Sequence, residues 1–118
     1  MLFLMERTQP MKVFILGREY EFYETTPDKD PVLKNADGYC DKSTAVCVID
    51  ARREKELNDL DDMDSHKRKV SRHELIHAFL AESGLVEQCD WACEEMIDWL
   101  AYQFPKMMDV FKTVGCLE

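Results

Sequence analysis

The sequence predicts a single α+β domain, in which a small antiparallel sheet packs on a core of two helices. Its 118 residues are typical of one domain, and no repeat or linker divides them. The first 50 residues contain short segments rich in Val, Ile, Phe and Tyr, which are typical of strands. After about residue 62 the apolar residues recur at helical spacing, so the chain changes there from strands to helices.

The predicted sheet consists of two hairpins. The first hairpin joins residues 12–16 to residues 19–25. A loop rich in Pro, Asp and Asn follows, and the second hairpin joins residues 37–40 to residues 44–50. The last of these strands is short and β-branched, as expected for a half-buried strand.

The sequence of the second half of the chain predicts helices. Residues 62–83 form the first, which ends at Gly84 because glycine adopts the left-handed conformation of a helix end without strain. The second spans residues 90–104, because Pro105 lacks the backbone N–H that would continue a helix. Residues 106–114 form a short last helix.

Two segments are expected to lie outside the core. Residues 1–10 are interpreted as a loose N-terminal extension that precedes a more natural start at Met11. Residues 51–60 are strongly charged and are expected to form a solvated helix or loop.

The charge balance argues against several classes of function. Asp and Glu number 24 against 15 Lys and Arg, which gives a net charge of −9 and repels phosphate backbones, so we expect no nucleic-acid partner. The four glycines are too scattered for a phosphate-binding loop. No segment has the ~18 consecutive apolar residues that span a membrane, and no secretion signal is recognised. We therefore expect a cytoplasmic protein with no membrane partner.

The cysteines and the basic residues have plain interpretations. Five cysteines without a secretion signal are expected to be reduced thiols. Only Cys89 and Cys93 form a close pair, which disfavours a cysteine–zinc site. Residues 67–69 and Arg72 form the one basic cluster, which is expected to be a solvated turn entering the first helix.

The first helix carries an H-E-x-x-H motif, His73-Glu74-Leu75-Ile76-His77. On a helix the two histidines lie one above the other, with Cβ atoms about 5–6 Å apart, and can bind the same metal ion. Glu74 points to nearly the same side, where its carboxylate can act as the general base toward a water held by the metal. The motif therefore predicts a zinc site with a catalytic base.

Two other interpretations of this motif are open. It can arise by chance in a chain so rich in acidic residues, and Ser71 with Glu74 also fits a capping box that would start the helix at Ser71. That start would surround the positive helix end with basic side chains and leave the acidic residues 61–64 without a role. A start near Asp62 is therefore favoured.

A catalytic zinc ion requires a third protein ligand. His66 lies two helical turns before His73, too far along the axis to join the site, and is expected to be solvated. On the second helix Glu94 shares a face with apolar residues and points inward, so it is the candidate ligand. Asp98, one turn later, is expected to accept a hydrogen bond from a ligating imidazole and fix its tautomer. The competing interpretation places both acids on a solvated helix face.

An H-E-x-x-H motif followed by a helical Glu resembles the gluzincin arrangement of zinc metallopeptidases. More narrowly, the chain resembles the small ImmA/IrrE-like metallopeptidases that phages and mobile elements often encode. The resemblance rests on three stretches, residues 37–49, residues 69–80 and residues 94–105. It implies a minimal zincin-like domain over residues 11–118 that hydrolyses a peptide bond with one Zn²⁺ ion. Some members of that family cleave a repressor protein and so switch on a mobile element.

The resemblance also assigns roles to individual residues. His73, His77 and Glu94 would bind zinc, and Glu74 would activate the water. The strand that ends at residues 48–49 would lie beside the cleft as an edge, to which an extended peptide or protein substrate can add.

The group that would stabilise an oxyanion is not identified by the sequence. Two tyrosines are candidates, and for each the alternative is a side chain that only packs. Tyr102 lies two turns beyond the candidate ligand on the second helix, and Tyr39 precedes the candidate edge strand.

The alternative function is that of a non-catalytic, zinc-stabilised interaction protein of a phage or mobile element. Glu74 favours the enzyme, because a purely structural zinc site has no need of a general base. The oligomeric state is open, since the apolar C-terminal segment fits either a core or a contact surface.

Overall fold

The computed structural model describes residues 9–52 and 62–117, which contain four strands and two long helices. The predicted α+β class is confirmed. The predicted extension and the charged segment after the second hairpin lie almost entirely outside the described residues. The elements are β1 (Met11–Ile15), β2 (Arg18–Thr25), β3 (Gly38–Asp41), β4 (Val46–Asp50), α1 (Met63–Ser83) and α2 (Glu94–Val114).

Both predicted hairpins are present, but the sheet is mixed rather than wholly antiparallel. The strand order is β1-β2-β4-β3, and β2 runs parallel to β4. The reason is that the segment 26–37 carries the chain to the outer edge, where β3 forms. The returning strand β4 then lies between β3 and β2. The edge strand of the second hairpin is therefore β3, and the expectation that the strand ending at residues 48–49 forms the edge is wrong.

The core has one part on each face of the sheet. On one face the sheet packs against α1, through a cluster of buried residues that includes Tyr20, Cys47 and Ala78. On the other face Tyr23 and Val48 pack against Leu33, which belongs to the short 3-10 helix of the loop that precedes β3. Because β2 and β4 occupy the middle of the sheet, they supply most of its buried side chains.

Helix α1 has the predicted ends. The Asp62 carboxylate accepts a hydrogen bond from the Ser65 backbone N–H at 3.0 Å, and Gly84 ends the helix with a φ of 78°. Ser71 lies inside the helix, where its hydroxyl donates to the Lys67 carbonyl, so the capping-box alternative is wrong. The face that carries Phe79 is open to solvent, since this side chain is 45% exposed.

Helix α2 differs from the prediction at both ends. It begins at Glu94 rather than near Asp90, and it continues through Pro105 to Val114. A proline inside a helix leaves the carbonyl four residues earlier without its usual donor. Here that carbonyl belongs to Ala101 and accepts a hydrogen bond from Arg72 Nε of α1 at 2.6 Å. This contact between the helices compensates for the proline, which sequence spacing alone does not reveal.

Replacing Tyr20 with Phe is expected to lower the free energy of unfolding by about 1 kcal/mol. The Tyr20 hydroxyl donates to Glu82 Oε2 at 2.7 Å, and its ring is fully buried against α1. Urea denaturation followed by circular dichroism measures the change. The matched control is Tyr102→Phe, which alters an exposed tyrosine and should leave the unfolding midpoint unchanged. Equal stability of the two variants would contradict this account.

Candidate metal centre

The helical spacing of the motif brings the two histidines together. His73 and His77 lie one turn apart on α1, with ring centroids separated by 4.9 Å. Their Nε2 atoms are 3.2 Å apart and face the same point. Both rings are partly buried between α1 and α2.

Glu94 joins them from the first residue of α2. Its Oε1 lies 2.5 Å from His77 Nε2 and its Oε2 lies 3.0 Å from His73 Nε2. The carboxylate is 71% exposed, so it faces an open cleft rather than the core. Ile97 and Ala101 of the predicted inward face are buried, but Glu94 itself is exposed at the first turn of α2, so the expectation that it points into the core is wrong.

The donor atoms fit a metal ion. A tetrahedral zinc ion with bonds of about 2.05 Å separates its ligand atoms by about 3.3 Å. The two imidazole nitrogens are 3.2 Å apart, each lies 2.5 to 3.0 Å from one of the two Glu94 oxygens, and one ligand atom from each residue lies within 4.8 Å of the others. The cluster of His73, His77 and Glu94 could therefore hold one metal ion and leave a coordination position toward the cleft.

Asp98 occupies the position beside His73 that the sequence predicts. Its Oδ1 accepts a hydrogen bond from His73 Nδ1 at 3.1 Å, and with the proton on Nδ1 the Nε2 lone pair points into the cluster. The same oxygen accepts a hydrogen bond from Lys69 Nζ at 2.8 Å. This ammonium group holds the pKa of Asp98 below its usual range, so the acceptor stays ionised.

Lys69 is a site residue that the sequence interpretation missed, because the basic cluster was expected to be a solvated turn. The cluster instead lies on α1, and three of its members have partners. Lys67 pairs with Glu24 at 2.7 Å, Lys69 with Asp98, and Arg72 with the carbonyl of Ala101. Lys69 lies four residues before His73, on the same helix face. The spacing that predicted the two histidines to lie together could therefore also have placed Lys69 beside the site.

Glu74 lies in the wall of the cleft and is only 8% exposed. Burial raises the pKa of its carboxyl group to about 7, against the opposing effect of the neighbouring His73. Among the described residues no side chain hydrogen-bonds this carboxylate. Its oxygen atoms are thus available to a water molecule in the cleft, and a pKa near 7 suits a group that accepts and returns a proton.

The cleft lies between the metal-binding cluster and the edge strand. It has a volume of about 260 Å³, and Gly38, Tyr39 and Cys40 of β3 form the wall opposite His73 and His77. Because β3 is the last strand of the sheet, its outer edge has no neighbouring strand among the described residues. An extended chain in the cleft would therefore lie along this outer edge.

The structure brings neither candidate tyrosine hydroxyl to the cluster. The Tyr39 ring packs on the opposite face of the sheet, and its hydroxyl donates to Asp30 Oδ2 at 2.5 Å. The alternation of side chains along a strand sends Tyr39 away from α1, while Cys40 faces it. Tyr102 is 56% exposed and lies over Lys69 Nζ, outside the cleft. In this geometry neither hydroxyl reaches the cluster, which favours the packing interpretation of both tyrosines.

His66 is excluded from the cluster, as predicted, but it is not simply solvated. Its Nε2 lies 3.1 Å from Asp37 Oδ2, and its side chain is mostly buried between α1 and the start of β3. The reason is that the chain enters β3 directly beside the first turns of α1.

The structure contains no disulfide bond between the five cysteines. Cys40 and Cys47 are directly opposite each other in the β3–β4 hairpin. Within residues 9–52 and 62–117, no cysteine belongs to a cluster that could hold a metal ion.

The comparisons with known proteins leave the family resemblance as a hypothesis. No protein-family model, curated protein or solved structure matches the chain. Neither helix in the described part of the chain is both long enough and apolar enough to cross a bilayer.

Addition of Zn²⁺ is expected to raise the melting temperature, because an ion that binds only the folded chain stabilises it. The gain is about 2.7 kcal/mol at a hundredfold excess over Kd. His77→Ala should abolish the shift, whereas the control His66→Ala removes a histidine outside the cluster and should keep it. Differential scanning fluorimetry with and without a chelator measures the effect. A loss of the shift in both variants would contradict the assigned cluster.

Asp98→Ala is expected to weaken Zn²⁺ binding by about 10- to 100-fold, because it removes the acceptor that orients the His73 ring. Competition with a fluorescent zinc chelator gives the dissociation constant. Asp109→Ala changes an exposed acid on the same helix and should bind Zn²⁺ like the unmodified chain. An unchanged affinity in Asp98→Ala would remove Asp98 from the site.

Proposed function

We propose that this chain is a zinc-dependent peptidase that hydrolyses a peptide bond with Glu74 as general base. One observation carries the proposal. Two imidazole nitrogens and a carboxylate converge at 2.5 to 3.2 Å, and a buried second carboxylate without a hydrogen-bond partner among the described residues lies in the same cleft. A site that only stabilises the fold has no use for the second carboxylate.

Each residue of the cluster has a distinct role in this proposal. His73, His77 and Glu94 hold the ion, and two nitrogens with one oxygen suit zinc. When bound, zinc acidifies water and polarises a carbonyl oxygen. The Glu74 carboxylate accepts the proton of the attacking water and passes it to the leaving amine. Asp98 keeps the proton of His73 on Nδ1.

The proposed substrate is an extended segment of a peptide or protein. The outer edge of β3 faces the cleft and offers backbone groups to which such a segment can add as a further strand. This addition would place a backbone carbonyl of the substrate above the cluster.

Membership of the ImmA/IrrE-like peptidases and an origin in a phage or mobile element remain predictions from the sequence motifs. The same is true of a cytoplasmic location.

Glu74→Gln is expected to lower kcat by about 10²- to 10⁴-fold, the usual contribution of a general base, while Zn²⁺ still binds with one ion per chain. Cleavage is measured on a library of quenched fluorescent peptides, and zinc by elemental analysis of the same samples. The control is Glu95→Gln, which makes the same change in an exposed neighbour of Glu94 and should retain full activity.

The results of this experiment distinguish the peptidase from the non-catalytic interaction protein. Zinc binding with no cleavage of any library member by the unmodified protein would favour the non-catalytic interaction protein. Cleavage that persists in Glu74→Gln would refute the assigned base.

A further inference from the structure

A second cavity lies between α1 and α2, next to the metal centre. Its volume is about 420 Å³, larger than that of the metal-binding cleft. Four of the chain's 15 Lys and Arg residues contribute to its lining, which also includes Tyr102 and, at one end, Asp62. The four are Arg68, Lys69, Arg72 and Lys106. In a chain with a net charge of −9, this is an unusual concentration of positive charge.

Most of this positive charge is not neutralised. Lys69 pairs with Asp98, and Asp62 is engaged at the start of α1, where its carboxylate caps the helix. Within the described part of the chain, no carboxylate lies within ion-pair distance of Arg68, Arg72 or Lys106. Arg72 uses its Nε for the Ala101 carbonyl, which leaves the outer guanidinium nitrogens for another acceptor. Three cations that line one cavity repel each other, so an anion placed among them would be stabilised.

The cavity adjoins the metal centre at Lys69. This residue also lines the cleft that contains His73, Glu74 and Glu94. Arg68 precedes His73 by five residues, which corresponds to about 7.5 Å along the helix axis. An extended peptide rises about 3.4 Å per residue. An anionic group in the cavity would therefore belong to a residue about two or three positions from the bond above the metal.

We propose that this cavity is a specificity site that binds the carboxylate of an Asp or Glu residue of the peptide substrate. The proposal rests on the peptidase function above and adds the chemical class of the substrate, an acidic peptide. The acidic side chain enters between α1 and α2 while the peptide backbone lies in the cleft beside β3.

The chemistry of the lining favours a carboxylate on a peptide. Guanidinium groups bind carboxylates with two parallel hydrogen bonds, and Lys106 adds a third donor from the other helix. The exposed Tyr102 ring lies in the same lining and offers an apolar surface to the methylene groups of a Glu side chain. The acidic residues around the cluster disfavour a long polyanion such as a nucleic acid.

The test measures binding separately from cleavage. The full-length Glu74→Gln protein, in zinc-supplemented buffer, is titrated with acetylated and amidated hexapeptides of Ala, Ser and Gly. Each peptide contains one Glu or, as its neutral counterpart, one Gln. Two-dimensional NMR reports the affinity and the residues that are affected. We expect the Glu peptide to bind about tenfold more tightly than the Gln peptide and to shift the signals of Arg68 and Tyr102. Added salt should reduce this difference.

The double variant Arg68→Gln/Lys106→Gln should abolish the preference for Glu. Both side chains are exposed and make no ion pair in the described structure, so the fold should be retained. Lys12→Gln/Lys112→Gln removes the same charge elsewhere on the surface and should keep the preference. In the protein that keeps Glu74, Arg68→Gln/Lys106→Gln should raise KM for acidic peptides, whereas Lys12→Gln/Lys112→Gln should leave that KM unchanged.

The possible results distinguish this inference from the proposed function. Selective binding of the Glu peptide without any cleavage by the active protein would support the anion site and refute the peptidase. Cleavage without a preference for acidic residues would refute the anion site and leave the peptidase intact. If inorganic phosphate shifts Arg68 but the Glu peptide does not, the cavity binds free anions, and the assignment to a peptide is overturned.

Discussion

The crossing of α1 and α2 is the contact on which the rest of the site depends. Arg72 of α1 donates to the Ala101 carbonyl at 2.6 Å, and Ile97 and Ala101 are buried in the same interface. This crossing places the first turn of α2 opposite the motif. Glu94 then reaches both histidines, and without the crossing the H-E-x-x-H motif would supply only two of the three ligands that a catalytic metal site needs.

The sheet contributes the opposite wall, and the close approach of β3 to α1 determines its position. A Cβ atom on Gly38 would lie 2.9 Å from the Val48 carbonyl oxygen and 3.1 Å from Val70 Cγ1. Glycine therefore allows the edge strand to lie directly against the helix. The same packing buries Glu74 between α1 and the sheet. At this contact the Cys47 thiol of β4 lies 3.7 Å from the Glu74 backbone carbonyl. Burial is what brings the pKa of that carboxyl group to about 7.

The distribution of charge gives the two neighbouring cavities opposite properties. Around the histidines carboxylates predominate, as a cation site requires. Further along the same two helices basic side chains predominate, and three of them lack a carboxylate partner among the described residues. Lys69 lies between the two regions. It pairs with Asp98, which accepts the hydrogen bond from His73, and it also lines the basic cavity. The net charge of the chain does not reveal that its acidic and basic side chains are separated in this way.

Local spacing allowed the sequence to predict a good part of this protein. The ends of α1 at Asp62 and Gly84 and both hairpins depend on neighbours within a few residues. The convergence of the two histidines also follows, since an α-helix repeats its faces every three to four residues.

Other features depend on contacts between residues far apart in the chain. The position of β4 inside the sheet reflects the route of the preceding loop, which no local pattern specifies. The continuous helix through Pro105 depends on a donor from α1, and the orientation of Tyr39 depends on the register of β3. The sequence by itself thus determined which side chains are candidates to bind a metal and to act as a base. Only the tertiary structure decided what surrounds them, because packing between elements, not spacing along one element, sets those neighbours.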